Sequence, residues 1–562
     1  MITPGLKLWG QASFYSYTAA TLTFRKAPWL YRLQGIDTDP VSGEKTYYLS
    51  QLGSEGSKYI GSDTSSSGYR ELNLQTNLEY ARSFGPHYIN AVVLYHQKEH
   101  VDNQASSYNA RLPKREQGFA GRLSYTLLDR YVLEANFGYN GSENFMRGHR
   151  WGFFPSMAAG WIISNEPFWD NLRSTFDLLK IRYSYGLSGN DYLSVRFPYI
   201  SSVAMNVNSG FILGSCADGF YSEKGNVVNL WGNEDATWEV SRKHDIGIEF
   251  GFMQQLKFIL DIFDENRTGI FMARQVLPAT TGLSGVSPRG NLGAVRNRGV
   301  DFSLEYKRIF NPDFSISARG TFTYAHNEIT DYDEPEIQPY PYQSKIGQPV
   351  YAPYGLIAEG LFKDQEDIDN SPTQTFSTNY KPGDIKYKNM NDDDVIDEND
   401  ATYLGLPTVP EINYGFGATM KYKSFDFSFF FSGRDRVSIL MSDAVHPFVN
   451  KTHRGLNMFK WVADDHWSES NPNPDAKYPR LDWEYNPNNI PASSFWLRDG
   501  KFLRLKNVEL GWTWKETLRV YCTGTNLFVL SPFKLWDPEL ANGAGVSYPL
   551  TKSVQLGLQL FF

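Results

Sequence analysis

The chain has 562 residues and a formal net charge of −8, with 54 Lys and Arg against 62 Asp and Glu; that balance argues against a nucleic-acid partner, which needs clustered Lys and Arg. Aromatics make up 15% (35 Tyr, 38 Phe, 14 Trp), a share that suits a membrane barrel with aromatic girdles better than a soluble enzyme. Mean hydropathy is −0.43 and no run approaches the roughly 18 apolar residues of a membrane helix, but only alternate residues of a barrel strand meet lipid, so low hydropathy does not argue against a membrane.

Met1-Ile-Thr-Pro-Gly-Leu6 has neither the basic start nor the apolar core of an export signal. A barrel must be exported, so the native amino terminus is expected to lie upstream. The first clear hairpin alternates Phe119, Leu123, Tyr125 and Leu127, turns over Leu128-Asp-Arg130, and returns through Tyr131, Leu133, Ala135, Phe137 and Tyr139. Further pairs are Ile246–Phe252 with Leu256–Ile262, Val300–Tyr306 with a strand from near Phe314, Tyr414–Tyr422 with Phe425–Phe431, and Val508–Trp512 with Leu518–Cys522. Between them lie Gly-, Pro-, Asn- and Asp-rich segments near 15–71, 189–237, 269–297, 327–411, 433–500 and 527–552. The template gives about sixteen strands, with short and long connections alternating as in outer-membrane barrels, which have short periplasmic turns and long extracellular loops. The alternate faces carry Arg122, Glu134, Arg182, Asp245, Glu249, Asp301 and Glu305, which would face a wet lumen.

The chain ends in a strand. Val554, Leu556, Leu558, Leu560 and Phe562 share one face, with Gln555, Gly557, Gln559 and Phe561 on the other. An apolar edge strand is a hazard in a soluble sheet and none in a closed membrane barrel. The fold expected is all-β, a transmembrane antiparallel β-barrel.

Several clusters could carry chemistry. Asn389, Asn391, Asp393, the Val395 carbonyl, Asp397 and Asp400 fall at positions 1, 3, 5, 7, 9 and 12 of a calcium-type loop, with Ile396 at position 8 as its anchor. Asp394 stands at position 6, where glycine makes the sharp turn most easily. The competing reading is a solvated acidic loop; bound calcium would rigidify an extracellular loop rather than catalyse. His96-Gln-Lys-Glu-His100 fits a zinc pattern, but it follows the strand Ala91–Tyr95, where residues four apart stand about 13 Å apart and cannot share one ion. Asp464-Asp465-His466-Trp467 lacks a positioned nucleophile, and no G-x-S-x-G or phosphate loop is present. No enzyme is indicated. Cys216 and Cys522 cannot form a disulfide framework, and Cys522 reads as a small apolar filler. Tyr221, Trp231, Tyr340, Tyr342, Tyr351, Tyr354, Phe448 and Trp461 populate the long segments, where they would build local cores or offer stacking platforms.

A set of motifs resembles the SusC/RagA family of TonB-dependent outer-membrane transporters. They are Gly121-Arg-Leu-Ser-Tyr125 with Asp129–Phe137, Arg150-Trp-Gly-Phe-Phe-Pro-Ser156, Gly160-Trp161, Glu166-Pro-Phe168 and Leu179–Gly186. Pro382-Gly-Asp-Ile-Lys-Tyr387, Phe495–Asn507, Asn526-Leu-Phe528 and Trp536-Asp-Pro-Glu539 complete them. They run in family order from about residue 118 to 562; residues 1–117 match more loosely. The family often has Asp-x-Asn-x-Asp-Gly at the 389–394 position. The resemblance implies an outer-membrane location, a barrel of about 22 strands with a plugged lumen, a SusD-like surface lipoprotein, and TonB-powered import of oligosaccharides or peptides. Residues 1–562 then read as a partial barrel, with 382–400 as the calcium-type loop within an extracellular loop. The plug, the TonB-contacting segment and about six strands are expected elsewhere. The terminal face Val554–Phe562 resembles the signal read by the outer-membrane assembly machinery. Its strand should show either a free edge or a forced closure onto Leu6–Phe14. The alternatives are a surface glycan-binding β-protein and a truncated, non-transporting remnant.

Overall fold

The computed structural model describes residues 4–561 apart from 53–55, 57–58, 104–107, 194, 208–211, 216–218, 223, 278–279, 281–287, 442–458, 483–484, 541–542, 544 and 546. Cys216, Phe448, Phe562 and the Tyr221 side chain lie outside that description.

Sixteen strands form one antiparallel sheet in which every strand pairs with its neighbours in sequence. They are β1 (Leu6–Arg25), β2 (Gly61–Phe84), β3 (His87–Asp102), β4 (Lys114–Leu127), β5 (Tyr131–Ser142), β6 (Trp151–Ile162), β7 (Leu178–Asn190) and β8 (Glu239–Phe252). The second half is β9 (Leu256–Ala273), β10 (Arg289–Asn311), β11 (Phe314–Asp331), β12 (Ile412–Tyr422), β13 (Phe425–Asp435), β14 (Phe502–Trp514), β15 (Leu518–Leu530) and β16 (Ser553–Leu560). The strand count and the hairpins expected from the alternation are all present.

The connections alternate strictly in side. One rim carries the tight turns 85–86, 128–130, 253–255, 312–313, 423–424 and 515–517. Three of these turns place two adjacent residues at positive φ: Leu128 and Asp129, Met253 and Gln254, Lys515 and Glu516. That geometry follows the right-handed twist of the flanking strands. The sixth-to-seventh connection on this rim, 163–177, is longer and is pinned by Glu166. Its buried carboxylate accepts from Tyr131 Oη at 2.6 Å and Trp161 Nε1 at 3.0 Å. The Tyr131 bond, then the Trp161 bond, holds it below the usual carboxylate range. The opposite rim carries all the other long segments, and β16 ends on the tight-turn rim.

Two expected loops are shorter than the sequence indicated. Strand β1 runs to Arg25 and β2 starts at Gly61, so 15–71 contracts to 26–60; likewise 269–297 contracts to 274–288. Crossing a membrane takes about 9–11 strand residues, whereas β1, β2 and β10 have 20, 24 and 23. The far ends of β1 and β2 keep the ladder but are exposed on both faces, whereas the far end of β10 is packed, with Gly290 and Gly293 buried and Asn291 bonded to Thr237 and Gly269. The Ser62–Ser67 stretch of β2, which pairs with Ala19–Phe24, has no apolar face, and the period-two signal disappears although the pairing continues.

The two faces of the sheet differ in chemistry. The outward face shows exposed Leu133, Phe153, Met157, Ile246, Ile262, Leu510 and Leu556. Near the tight-turn rim it carries Tyr131 stacked on Trp161, Phe310 on Phe314, and Trp512 and Trp514, an aromatic girdle of the kind that marks a membrane interface. The inward face carries ion pairs. Arg122 meets Glu134 at 2.6 Å, Lys180 meets Glu249 at 2.9 Å, and Arg182 bridges Asp261 at 2.6 Å and Asp245 at 3.3 Å. Arg519 pairs with Asp426 and, at 2.6 Å, with Glu509. Among the described residues β1 pairs only with β2 and β16 only with β15, so the sheet shows an unpaired edge at each end there and no ladder joins β16 to Leu6–Phe14.

Candidate functional site

The long-loop rim holds a folded unit of its own. Its core takes Leu356, Leu361, Ile385, Tyr387 and Ile396 from the loop after β11. Ile439, Val462, Trp467, Tyr478 and Trp496 come from the loop after β13, and Phe533 from the loop after β15. Short ladders stitch it together: Ala358–Leu361 with Ile385–Tyr387, and Ser438–Leu440 with Leu497–Asp499. Single bridges at Leu356–Ser493 and Met441–Gly543 join the three loops. Roughly 1.5–3 kcal/mol per fully buried large apolar side chain makes this cap a cohesive body rather than three independent loops.

A buried polar network fixes its centre. Asp384, 0% exposed, accepts from Arg480 Nη2 at 3.0 Å and faces Arg480 Nε at 2.9 Å. It also accepts from Asn486 and Asn489, both at 2.9 Å, and from the Lys381 amide at 2.8 Å. Burial pushes the Asp384 carboxyl up, against the pull of Arg480. Gln374 donates to the Ile385 carbonyl and to Asn488, while its own carbonyl accepts the Tyr387 amide at 2.7 Å. The Pro382–Tyr387 motif thus supplies the hub of the cap. Sequence reasoning recognised the motif and gave it no role. It missed Gln374, Arg480, Asn488 and Asn489, whose partners lie up to 114 residues away.

The calcium-type residues form one tight loop. Asp394 takes φ 61°, the turn that glycine would make, and Ile396 is buried at 1% exposure, opposite Gln374 in a two-residue parallel bridge. Its oxygens hold loop amides. Asn389 Oδ1 accepts from Asp392 N at 2.9 Å, Asp393 Oδ1 from Val395 N at 3.0 Å, and the buried Asp400 from Met390 N at 2.7 Å and Asp397 N at 2.9 Å. Asn391 bonds Asp393, and Asp397 caps a 3₁₀ turn through Asn399 N. The backbone and the all-oxygen donor set suit calcium in kind. In this arrangement the side chains are spent on the loop, and among the described residues no group of three or more His, Cys, Asp or Glu is placed to hold an ion.

The other candidates have structural places. His96 and His100 both lie on β3, opposite Gln75 and Glu71 of β2. Asp465 pairs with Lys477 at 2.8 Å, His466 Nδ1 lies 2.8 Å from the Ala463 carbonyl, and Trp467 is buried in the cap. Cys522 sits half-buried on the outward face of β15, between Leu510 and Leu556. Among the loop aromatics, Trp461 stacks on Phe459 and packs against the cap core, and Tyr342 bonds the Asn399 carbonyl at 2.7 Å. Trp231, Tyr351 and Tyr354 stay exposed. Tyr351 borders a cavity of about 400 Å³ between the β9–β11 wall and the loop before β12, lined also by Glu265, Arg267, Asn297, Asn327 and Val350.

On the terminal strand Val554, Leu556, Leu558 and Leu560 share the outward face, with 67%, 83%, 65% and 55% exposure. No helix among the described residues is long and apolar enough to cross a membrane; strands carry the apolar surface.

Comparison with known proteins agrees with this architecture. Residues 6–527 match the family model for the β-barrel of TonB dependent receptor-like proteins. TonB-dependent receptor P26 of Formosa agariphila is 29% identical over 476 residues, covering 79% of this chain and 46% of that protein. TonB-dependent receptor SusC of Bacteroides thetaiotaomicron is 27% identical over 466 residues, covering 79% and 43%. The chain thus spans under half the length of these curated relatives. The solved RagAB peptide transporter superposes with TM-score 0.70 at 19% identity, over 100% of this chain and 60% of that one, which shows a common fold. Such receptors are outer-membrane transport proteins rather than enzymes. The polar-lined, apolar-jacketed sheet and the family match over residues 6–527 lead to one assignment: the chain belongs to the TonB-dependent receptor β-barrel family.

Proposed function

We propose that the chain forms the substrate-facing wall of a nutrient importer that takes up oligosaccharides or peptides with a SusD-like surface lipoprotein and is powered through TonB. The observation that carries this reading is the cap. Three loops on one rim are fused into a body with its own apolar core and buried ion pair. A rigid rim can present a fixed docking edge to a lid, and the cavity at Tyr351 opens between the β9–β11 wall and the loop before β12. The likeness to the RagAB peptide transporter supports the peptide class of substrate. Affinity purification of the full-length receptor from outer membranes tests it: a stoichiometric surface lipoprotein is expected, together with loss of growth on one oligosaccharide or peptide source in the deletion strain. A receptor that purifies without a lipoprotein, from a strain whose deletion grows normally on every such source, refutes the reading.

We also propose calcium as a stiffener of the 389–400 loop, held by the side chains of Asn389, Asn391, Asp393, Asp397 and Asp400 with the Val395 carbonyl. The left-handed backbone at Asp394 supports it.

A further inference from the structure

The register fixes how the outward face changes with height on β8–β11. One row across these strands is Ile246, Ile262, Val300 and Tyr324. The next row towards the long-loop rim is His244, Asp264, Arg298 and His326, and the one beyond it Arg242, Asn266, Arg296 and Glu328. All three share one face, because each step moves two residues along the strand. His244 and Asp264 each lie eight residues from the tight turn 253–255. A membrane crossing takes about 9–11 strand residues, so the first charged row stands where the hydrocarbon of the outer leaflet gives way to head groups.

A cavity of about 540 Å³ spans that boundary, with Ile246, Ile262 and Val300 below and His244, Arg298 and His326 above. The cations are partly engaged. Arg296 meets Asp264 at 2.7 Å, Arg298 meets Glu328 at 3.1 Å, and His326 meets Glu411 at 2.5 Å. Arg298 is 50% accessible and makes a single contact to Glu328, and an exposed pair of this kind is weak and exchangeable; the Arg296–Asp264 pair is bidentate, through Nε at 3.0 Å and Nη2 at 2.7 Å, and firmer, with Arg296 40% accessible. Arg242 has no ion pair among the described residues, and His244 Nδ1 lies 2.9 Å from Tyr183 Oη with its ring against Tyr185. Three arginines and two histidines stand beside two carboxylates on these rows. Guanidinium groups bind phosphate through paired N–H donors.

We propose that this groove seats an outer-leaflet glycolipid, its phosphate held by Arg298, Arg296 and Arg242 with His244 beside it, and one acyl chain laid over Ile246, Ile262 and Val300. Charge complementarity and the position at the leaflet boundary select the occupant: a phosphorylated lipid head group, rather than a solute of the lumen, meets this outward face. The inference rests on the outer-membrane location and is independent of what the importer carries.

The test uses the full-length receptor in an uncharged detergent, titrated with phosphorylated lipid A and with the same lipid A after removal of its phosphate. The phosphorylated form should bind at least tenfold more tightly, and the double variant R296Q/R298Q should lose that preference. Retained heat-modifiable gel mobility reports that the variant barrel is folded. If it is not, Val300→Trp, which fills the groove and leaves every charge, decides the matter: it should weaken phosphorylated lipid A binding at least fivefold. Equal binding of the two lipids, competition by inorganic phosphate at the lipid's own concentration, or unchanged binding in the folded double variant or in Val300→Trp each overturns the proposal.

Discussion

Two glycines of the same loop offer a controlled test of the cap. Gly383 and Gly347 both sit at φ 86°. A Cβ at Gly347 would meet nothing within 4 Å, whereas a Cβ at Gly383 would land in the ring of Trp467, which is 5% exposed. Placing an L side chain in the left-handed region costs about 1–2 kcal/mol, so Gly347→Ala should destabilise the cap by that amount alone. Overpacking a fixed core adds about 1–3 kcal/mol, so Gly383→Ala should cost about 2–5 kcal/mol in total. The assay is hydrogen exchange on the full-length protein in detergent, read at the Ile385, Tyr387 and Trp467 amides, whose bonds to Asn489, Gln374 and Tyr478 break only when the cap opens. Barrel amides such as those of β4 and β5 should be unaffected. If Gly383→Ala costs no more than Gly347→Ala, Trp467 is free to move aside and the cap has no fixed core. If both substitutions loosen β4 and β5 equally, the cap is not a separate unit.

Three further outcomes follow from the structure. On the terminal strand, Leu556→Arg puts a charge on the lipid face and should cost about 2 kcal/mol or more in refolding into bilayers, while Gln555→Arg, pointing inward, should cost almost nothing; equal penalties would mean that the two faces are misassigned. In the cap, burial pushes the Tyr342 and Tyr403 phenols up to about 12, and Tyr387 higher still. Because the folded values lie above the unfolded ones, their contribution is fully present below about pH 10 and is lost as the pH rises towards 12. Cap amides should therefore lose protection over that interval together with tyrosinate absorbance; protection that is flat to pH 12 contradicts the burial. At residues 389–400, millimolar calcium should raise the thermal stability of the cap relative to a chelator, and Asp393→Ala with Asp400→Ala should abolish the difference; equal stability with and without calcium returns the loop to a self-bonded acidic turn.

The strands were legible in the sequence because lipid on one side and water on the other impose an alternation that each strand carries by itself. Phe119–Leu127 with Tyr131–Tyr139, Ile246–Phe252 with Leu256–Ile262, and the outward face of Val554–Leu560 could be read residue by residue, and so could the inward ion-pairing residues Arg122, Glu134, Arg182 and Asp245. The signal failed where the environment became the same on both faces, as in the upper halves of β1 and β2. It also failed in the cap. Asp384 with Arg480, and Gln374 with Asn488, are single polar residues in irregular segments, joined across about a hundred residues of chain. A periodic pattern is a local consequence of a planar boundary, so the sequence by itself determined the barrel wall and the direction each strand faces. A loop core has no such boundary. Only the tertiary structure decided that three loops condense around Asp384, and only the strand register placed Arg298 and Arg296 in rows just above Val300 on the outward face.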